Sequence, residues 1–329
     1  MVLWLVGGGN LTSNLHIVPQ TAAYAGYRTI NLSWDNPGGV SFESRCGPGE
    51  GSCDSDCLFD VVSEYLTGVD APPAAGDTDD TYEPHPMRSI EGKLKLALEH
   101  LHERDTNLHS TPEEGWDAYC TTTEVNWELV EVAGFSMGAQ MASYISYIEP
   151  GSATTSDSIG FFGADLGVPS CEYDPVSGNP DPTDAHYPAL MDDHSSLPPC
   201  GETSSCPSDN RFVLLHEDGI FSGLSAGGEV VIDLVDLGFP QEGISYPPAA
   251  IDDAIEDDEL LDAGGHLDQT AYGNLLQTDF TPAGTNGAHG SMAEDSKLVS
   301  DRLSQNLALN PSDYYLLPVY LEAFCELSQ

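Results

Sequence analysis

The sequence predicts an α/β protein with a mostly parallel sheet and helices on both faces. Short apolar, β-branched runs alternate along the chain with segments of helical spacing, the pattern that favours a parallel sheet. The chain has 329 residues and 40% hydrophobic content, which is enough to bury a substantial core. Neither an internal repeat nor a long linker divides it. We therefore expect one domain over residues 1–329, with loop-rich insertions at about 35–86 and 166–210.

The chain opens with a strand, a short helix and a second strand. The run VLWLV predicts the first strand, Val2–Val6, which ends in the glycines 7–9. A short helix is expected from about Pro19 to Ala25, because proline is favoured in a first turn and Gly26 follows the last turn. The alternating segment Tyr27–Trp34 predicts the second strand.

Three helices and the third strand follow. The first insertion contains a helical piece, Leu58–Leu66, and Ser89 is placed to cap a firm helix that runs to Asp105. The apolar face of that helix consists of Ile90, Leu94, Ala97, Leu98 and Leu101. The third strand is expected over Glu128–Ala133 and the next helix over Gly138–Ile148.

The second half of the chain supplies the remaining strands. Apolar runs predict a fourth strand within Asp157–Asp165, a fifth at Arg211–Asp218 and a last one at Asn274–Phe280. Between the last two, Glu229–Gly238 has the pattern of a helix that ends at a glycine.

The charge balance excludes several classes of partner. Acidic residues number 54 against 9 basic ones, which gives a formal charge of -45. Such a surface repels phosphate, so neither nucleic acid nor an anionic membrane is expected as a partner, and no apolar run is long enough to span a membrane. Because salt screens self-repulsion, the composition suits a saline environment.

We expect neither a metal ion nor an organic cofactor. Acidic clusters around Asp54, at 77–83 and at 256–262 carry the hard oxygen ligands that calcium prefers, but none has the spacing of an EF-hand loop. A structural calcium ion stays open as an alternative.

The cysteines indicate an exported protein. There are 8, scattered through loop-like sequence instead of paired as C-x-x-C, so they predict disulfides rather than a zinc site. Disulfides persist in oxidising compartments, and we expect a secreted protein, with the pairing of its cysteines left open. Since Met1 is followed at once by strand-like sequence, we infer that an export signal has been removed.

The segment Glu128–Ile145 reads ELVEVAGFSMGAQMASYI and places one serine between two glycines, where a strand gives way to a helix. A serine at so sharp a turn is strained, and residues without bulk are needed at the positions two before and two after it, here Gly134 and Gly138. The turn lifts Ser136 Oγ off the edge of the sheet and aims the helix N-terminus at it. The backbone N–H of Met137 is then available as an oxyanion donor.

This pattern resembles the α/β-hydrolase superfamily, and most closely its secreted bacterial esterases and cutinase-type polyester hydrolases. The likeness covers nearly the whole chain. In chain order it consists of a strand with a glycine loop, the sharp strand-to-helix turn at Ser136 (the serine elbow), an acid in the second half and a histidine after the acid. It implies an α/β-hydrolase fold with a catalytic serine, acid and histidine in that chain order. It also implies a second oxyanion donor in the loop WLVGGGN, for which Gly8 is the first choice and Gly9 the second.

The resemblance implies that the base is a histidine after the last strand. His289, in NGAHGSM, is there among small residues, so the loop can fold over the serine. His266 precedes that strand and belongs to the wrong edge, and His216 ends the fifth strand as a supporting residue. We interpret the other histidines as surface residues: His16, His85, His100, His102, His109, His186 and His194.

The resemblance implies an acid after a strand beyond the serine, and at the end of the fifth strand Glu217 and Asp218 are adjacent. Neighbours on an extended segment point oppositely, so only one can hold the histidine. We choose Asp218, with Glu217 and then Asp165 as alternatives.

The sequence therefore predicts a secreted serine ester hydrolase that acts through a Ser136–His289–Asp218 triad and an acyl-enzyme. The acidic surface favours neutral esters, including polyesters, lipids and acylated polysaccharides. A peptidase, thioesterase or amidase on the same machinery is the alternative among enzymes, and a non-catalytic hydrolase-like surface binding protein is the alternative of another class. Aromatic residues at the sheet edge either line an acyl pocket or belong to the core: Trp34, Phe135, Phe161 and Phe162.

Overall fold

The computed structural model describes residues 1–7, 17–35, 55–69, 85–108, 115–120, 124–148, 161–164, 211–216 and 275–278, together with Tyr320 and Phe324. These residues contain a six-stranded sheet in which every pair of neighbouring strands is parallel. The strands are β1 (Val2–Leu5), β2 (Thr29–Leu32), β3 (Glu131–Phe135), β4 (Phe161–Ala164), β5 (Arg211–His216) and β6 (Leu275–Thr278). Each overlaps a run that the sequence predicts as a strand.

The helices of the described residues also fall within or around predicted segments. They are α1 (Ile17–Tyr24), α2 (Ser55–Thr67), α3 (Ile90–Leu108) and α4 (Met137–Ile148), with 3₁₀ turns at Trp116–Tyr119 and Trp127–Leu129. The predicted helix Glu229–Gly238 lies outside the described residues. No helix in the described ranges has both the length and the apolar character needed to cross a bilayer, consistent with the expectation of no membrane span.

The strand order is β2-β1-β3-β4-β5-β6. From β1 the chain adds β2 on one side, and the later strands are added in succession on the other side. Because all pairs are parallel, the carboxyl ends of the strands lie at one edge of the sheet. The reversal occurs between β1 and β3, and in open parallel sheets the crevice at such a point is where ligands bind.

Local signals account for two of the helix ends. Gly26 has a φ of 98°, and the bonds from Gly26 N to Ala23 O and from Tyr27 N to Ala22 O form the Schellman pattern that ends α1. The predicted cap at Ser89 is confirmed, since its Oγ accepts a hydrogen bond of 3.0 Å from Gly92 N.

The core is centred on β1 and α4. The side chains of β1 are fully buried, and α4 packs against β1, β3 and β4. Helix α1 packs against β1 and β2, and α2 contacts both α3 and α4. The predicted buried face of α3 is confirmed at Ile90, Leu94 and Leu98.

The predicted bounds of β3 were wrong. The strand was expected over Glu128–Ala133 but spans Glu131–Phe135, because Trp127–Leu129 forms a 3₁₀ turn. The register with β1 begins at Glu131, whose N–H donates to Met1 O at 2.7 Å. At its other end the strand runs through Gly134 and brings the serine turn directly after Phe135.

Candidate active site

The backbone at Ser136 has a φ of 55°, and this is the one positive φ at a non-glycine residue in the part of the chain that the structure describes. The left-handed region costs an L-residue roughly 1–2 kcal/mol. Ser136 separates the last residue of β3 from the first residue of α4. The strain expected from the Gly-x-Ser-x-Gly pattern therefore falls on the serine itself.

The two glycines of the pattern allow three backbone segments to approach closely. A Cβ atom at Gly134 would lie 2.6 Å from Ala139 N and closer still to Gly138 O. A Cβ atom at Gly138 would lie 2.7 Å from Val6 O, 2.6 Å from Leu5 C and closer still to Leu5 O. All of these distances are below the 3.0 Å that real Cβ contacts keep. Only glycine fits at either position with the backbone in this arrangement.

The first turn of α4 presents its amides beside the serine. Ser136 O accepts hydrogen bonds from Ala139 N at 2.8 Å and from Gln140 N at 3.1 Å, which makes Ser136 the N-cap residue. The N–H groups of the first helical residues, Met137 and Gly138, have no acceptor within the helix. Together with the positive end of the helix dipole, they favour a negative oxygen at this point.

Burial leaves the serine accessible while its neighbours are inside. Ser136 is partly exposed, whereas Phe135 and Met137 are 4% and 9% exposed. Nearly every described position of α4 is buried, so the helix is held on several sides and cannot shift freely. The arrangement offers a partly exposed serine on a packed support, next to amides that can bind an oxyanion.

The chain after β1 leaves the sheet beside this turn. In the register, Leu5 pairs with Leu32 on one side and with Gly134 on the other. Val6 and Gly7 continue past these pairs at the carboxyl edge, and Val6 lies next to the first turn of α4. The predicted oxyanion donor Gly8 and its alternative Gly9 lie outside the described residues.

The predicted acid and base also lie outside the described residues. This holds for Asp218, for its alternatives Glu217 and Asp165, and for His289. The strands that precede them, β5 and β6, are described, and β5 ends at His216, two residues before the predicted end at Asp218. Since β5 and β6 are parallel to β3, their carboxyl ends lie at the same edge of the sheet as the serine turn. The roles of the acid and the base stay predictions.

Trp34 belongs to the core. It is 4% exposed, and its Nε1–H donates a hydrogen bond of 3.0 Å to the carbonyl oxygen of Val6. Its ring meets the ring of Tyr65 edge-on, with centroids 5.7 Å apart. Sequence reasoning missed this contact, and the signal for it was a tryptophan placed two residues after an edge strand. Phe135 is buried as well.

A cluster of charged side chains joins the two ends of the first insertion, near the carboxyl edge of the sheet. Asp35 follows β2, and its two oxygens accept hydrogen bonds from Arg88 Nε at 2.6 Å and from Lys93 Nζ at 2.9 Å. Partial burial raises the pKa of the Asp35 carboxyl, but the hydrogen bonds from Lys93 and Arg88 outweigh it, and the pKa lies below its usual value. The ends of the insertion predicted at about 35–86 are thus held together.

The described residues include only part of the predicted metal-ligand clusters and cysteines. No group of histidine, cysteine or acidic residues in the described ranges is arranged to hold a metal ion. Asp54 and the acidic clusters at 77–83 and 256–262 lie outside those ranges. Burial raises the pKa of the Cys120 thiol, so this cysteine does not have the lowered pKa of a nucleophile.

Comparisons of the chain with models of protein families, with curated proteins and with solved structures find no match. What supports a function is therefore the sequence pattern together with the geometry of the described residues.

Proposed function

We propose that the chain is a secreted serine hydrolase of the α/β-hydrolase type that cleaves neutral carboxylic esters, polyesters among them. The observation that carries the proposal is the φ of 55° at Ser136, between a strand and a helix that pack backbone to backbone through glycines. Backbone strain of this kind lowers the stability of the fold. It persists where the surrounding structure holds the residue in place, and such residues cluster at functional sites. Presenting a nucleophilic hydroxyl is the task that this geometry suits best.

In the proposed reaction, Ser136 Oγ attacks the carbonyl carbon of the ester while His289 accepts the hydroxyl proton. Asp218 accepts a hydrogen bond from the other imidazole nitrogen and stabilises the imidazolium. The oxyanion is held by the N–H groups of Met137 and Gly8. His289 then gives the proton to the departing alcohol, and water releases the acid from the acyl-enzyme by the same steps.

The order of the strands supports this assignment. β1 is the direct neighbour of β3, so the glycine loop after β1 starts beside the serine turn. The chain reaches the strand before the predicted acid and then the strand before the predicted base, moving outwards from β3. The serine turn also lies at the reversal between β1 and β3, where parallel sheets bind their ligands.

The charge of the chain bears on the class of substrate. The formal charge of -45 disfavours anionic substrates, and it suits a secreted enzyme that works in salt. A peptidase, a thioesterase or an amidase would use the same serine turn. A hydrolase-like binding protein is the alternative of another class, but such a protein would not need a serine with a strained backbone at this turn.

The test compares Ser136→Ala with Ser33→Ala. Ser33 is exposed and follows β2 at the same edge of the sheet, but it is not at an elbow, which makes it the matched control. We expect Ser136→Ala to abolish hydrolysis of p-nitrophenyl butyrate and labelling by a fluorophosphonate probe, and Ser33→Ala to keep both. Undiminished turnover in Ser136→Ala would refute the assignment, and an unlabelled, inactive wild type would favour the binding protein.

The class of acyl substrate is tested next, on the wild type. Esters of graded chain length, a polyester film, a thioester and a peptide amide are compared by kcat/KM at several salt concentrations. Preference for the esters is expected, and a higher kcat/KM on the thioester or the amide would replace the proposed substrate class.

A further inference from the structure

The carbonyl of Val6 is a buried group that needs a partner at the end of β1. The last registered pairs of β1 are at Leu5, so Val6 lies one residue past the pairing with both neighbouring strands. Val6 is fully buried, and a buried carbonyl without a donor is costly. The indole N–H of Trp34 supplies the donor at 3.0 Å.

Trp34 is itself held firmly. It is 4% exposed, and Tyr65, which it meets edge-on at an interplanar angle of 85°, is 3% exposed. Tyr65 belongs to α2, which contacts both α3 and α4. The indole therefore links α2, through its contact with Tyr65, to the end of β1, through its hydrogen bond to Val6 O.

The same carbonyl also lies against the first turn of α4. Val6 O lies 2.7 Å from the place where a Cβ atom of Gly138 would be, so the first turn of α4 rests on it. The end of β1 thus contacts both the Trp34 indole and α4. From Val6 the described chain continues to Gly7.

We infer that Trp34 is a positioning residue for the oxyanion hole: by holding the Val6 carbonyl, it sets where the chain after β1 departs relative to Ser136. The inference rests on the proposed function, because an oxyanion hole is needed only by an acyl-transfer enzyme. The predicted donor Gly8 lies outside the described residues, and Trp34 acts on Val6, two residues before it.

Loss of this hydrogen bond should affect the transition state more than the bound substrate. Removing a whole oxyanion donor costs about 10² to 10³ in kcat, and a misplaced donor should cost less than a missing one. We expect Trp34→Phe, which keeps a ring but loses the N–H, to lower kcat about 10- to 100-fold, with KM changed less than about 3-fold.

Trp127→Phe is the matched control. Trp127 is also buried, at 6% exposed, but it precedes β3 and so lies at the opposite edge of the sheet. Both variants are assayed on p-nitrophenyl butyrate with kcat normalised by fluorophosphonate titration of active sites, which removes any effect of a misfolded fraction. Affinity for a trifluoromethyl ketone, which mimics the oxyanion, is measured in parallel.

The expected result is a loss in kcat for Trp34→Phe that is matched by weaker binding of the ketone, while Trp127→Phe behaves as wild type. Replacing Trp34 with 3-benzothienylalanine, which keeps the shape of the indole and has sulfur in place of N–H, should give the same losses and covers the case in which Trp34→Phe fails to fold. Equal kcat and ketone affinity in the benzothienyl variant and the wild type would overturn the inference and leave the proposed function standing. A wild type that neither turns over the ester nor reacts with the fluorophosphonate would end both.

Discussion

Gly138→Ala tests the close packing on which the elbow depends. The added methyl group would meet Leu5 C at 2.6 Å and Val6 O at 2.7 Å, and ordinary van der Waals contact begins at 3.4 Å. Relief of the first contact alone requires a separation of about 0.8 Å between α4 and the end of β1. The clashing atoms are backbone atoms, so rotation of a side chain cannot relieve the clash.

Two effects of opposite sign set the stability of this variant. Overpacking of this kind costs about 1–3 kcal/mol, and the higher helix propensity of alanine returns up to about 1 kcal/mol. We expect a net loss of about 1–2 kcal/mol in the free energy of unfolding. The separation also moves the Met137 amide, at the start of α4, relative to the end of β1, and a displacement near 1 Å can cost about 10²-fold in rate.

Gly115→Ala is the control, because its cost has another origin. Gly115 has a φ of 61°, and a Cβ atom there would meet nothing within 4 Å. The variant should lose about 1–2 kcal/mol through backbone strain alone. Denaturant unfolding should show comparable losses for the two variants, whereas p-nitrophenyl butyrate turnover should fall only in Gly138→Ala. Wild-type stability and turnover in Gly138→Ala would refute the packing of α4 against β1.

Three further predictions concern strain, acid and salt. Ser136→Gly should have a free energy of unfolding about 0.5–1 kcal/mol higher than that of Ser136→Ala, because relief of the left-handed strain exceeds the cost of the larger unfolded-state entropy of glycine. Equal free energies of unfolding, measured with denaturant, would contradict the strain. Because the pKa of Asp35 is lowered by its contacts with Lys93 and Arg88, its contribution is complete above the unfolded value of 3.8 and is lost as the pH falls through the folded pKa. Asp35→Asn should therefore be less stable than wild type at pH 7, and the difference should vanish on acidification; a difference that persists at low pH would contradict this. Stability should rise with salt, since the Debye length shrinks from about 10 Å at 0.1 M to about 3 Å at 1 M, and an optimum in dilute buffer would contradict our account of the acidity.

Much of the local structure could be predicted because its causes are local. Gly26 ends α1 and Ser89 caps α3 through groups only a few residues away. The strained turn at Ser136 follows from glycines two positions to either side. The first residues of β3 could not be predicted in this way, because a 3₁₀ turn and a strand compete there and the distant residue Met1 decides the outcome.

By itself, the sequence determined which segments contain strands, which residue carries the strain and which residues are candidates for the acid and the base. Only the tertiary structure decided the order of the strands, which puts β1 beside β3 and Val6 under the first turn of α4. It also decided that Trp34 serves the carbonyl of Val6, a group 28 positions away in the chain. The physical reason is that periodicity and capping act within a few residues, whereas a buried carbonyl accepts its hydrogen bond from whatever donor the fold brings to it.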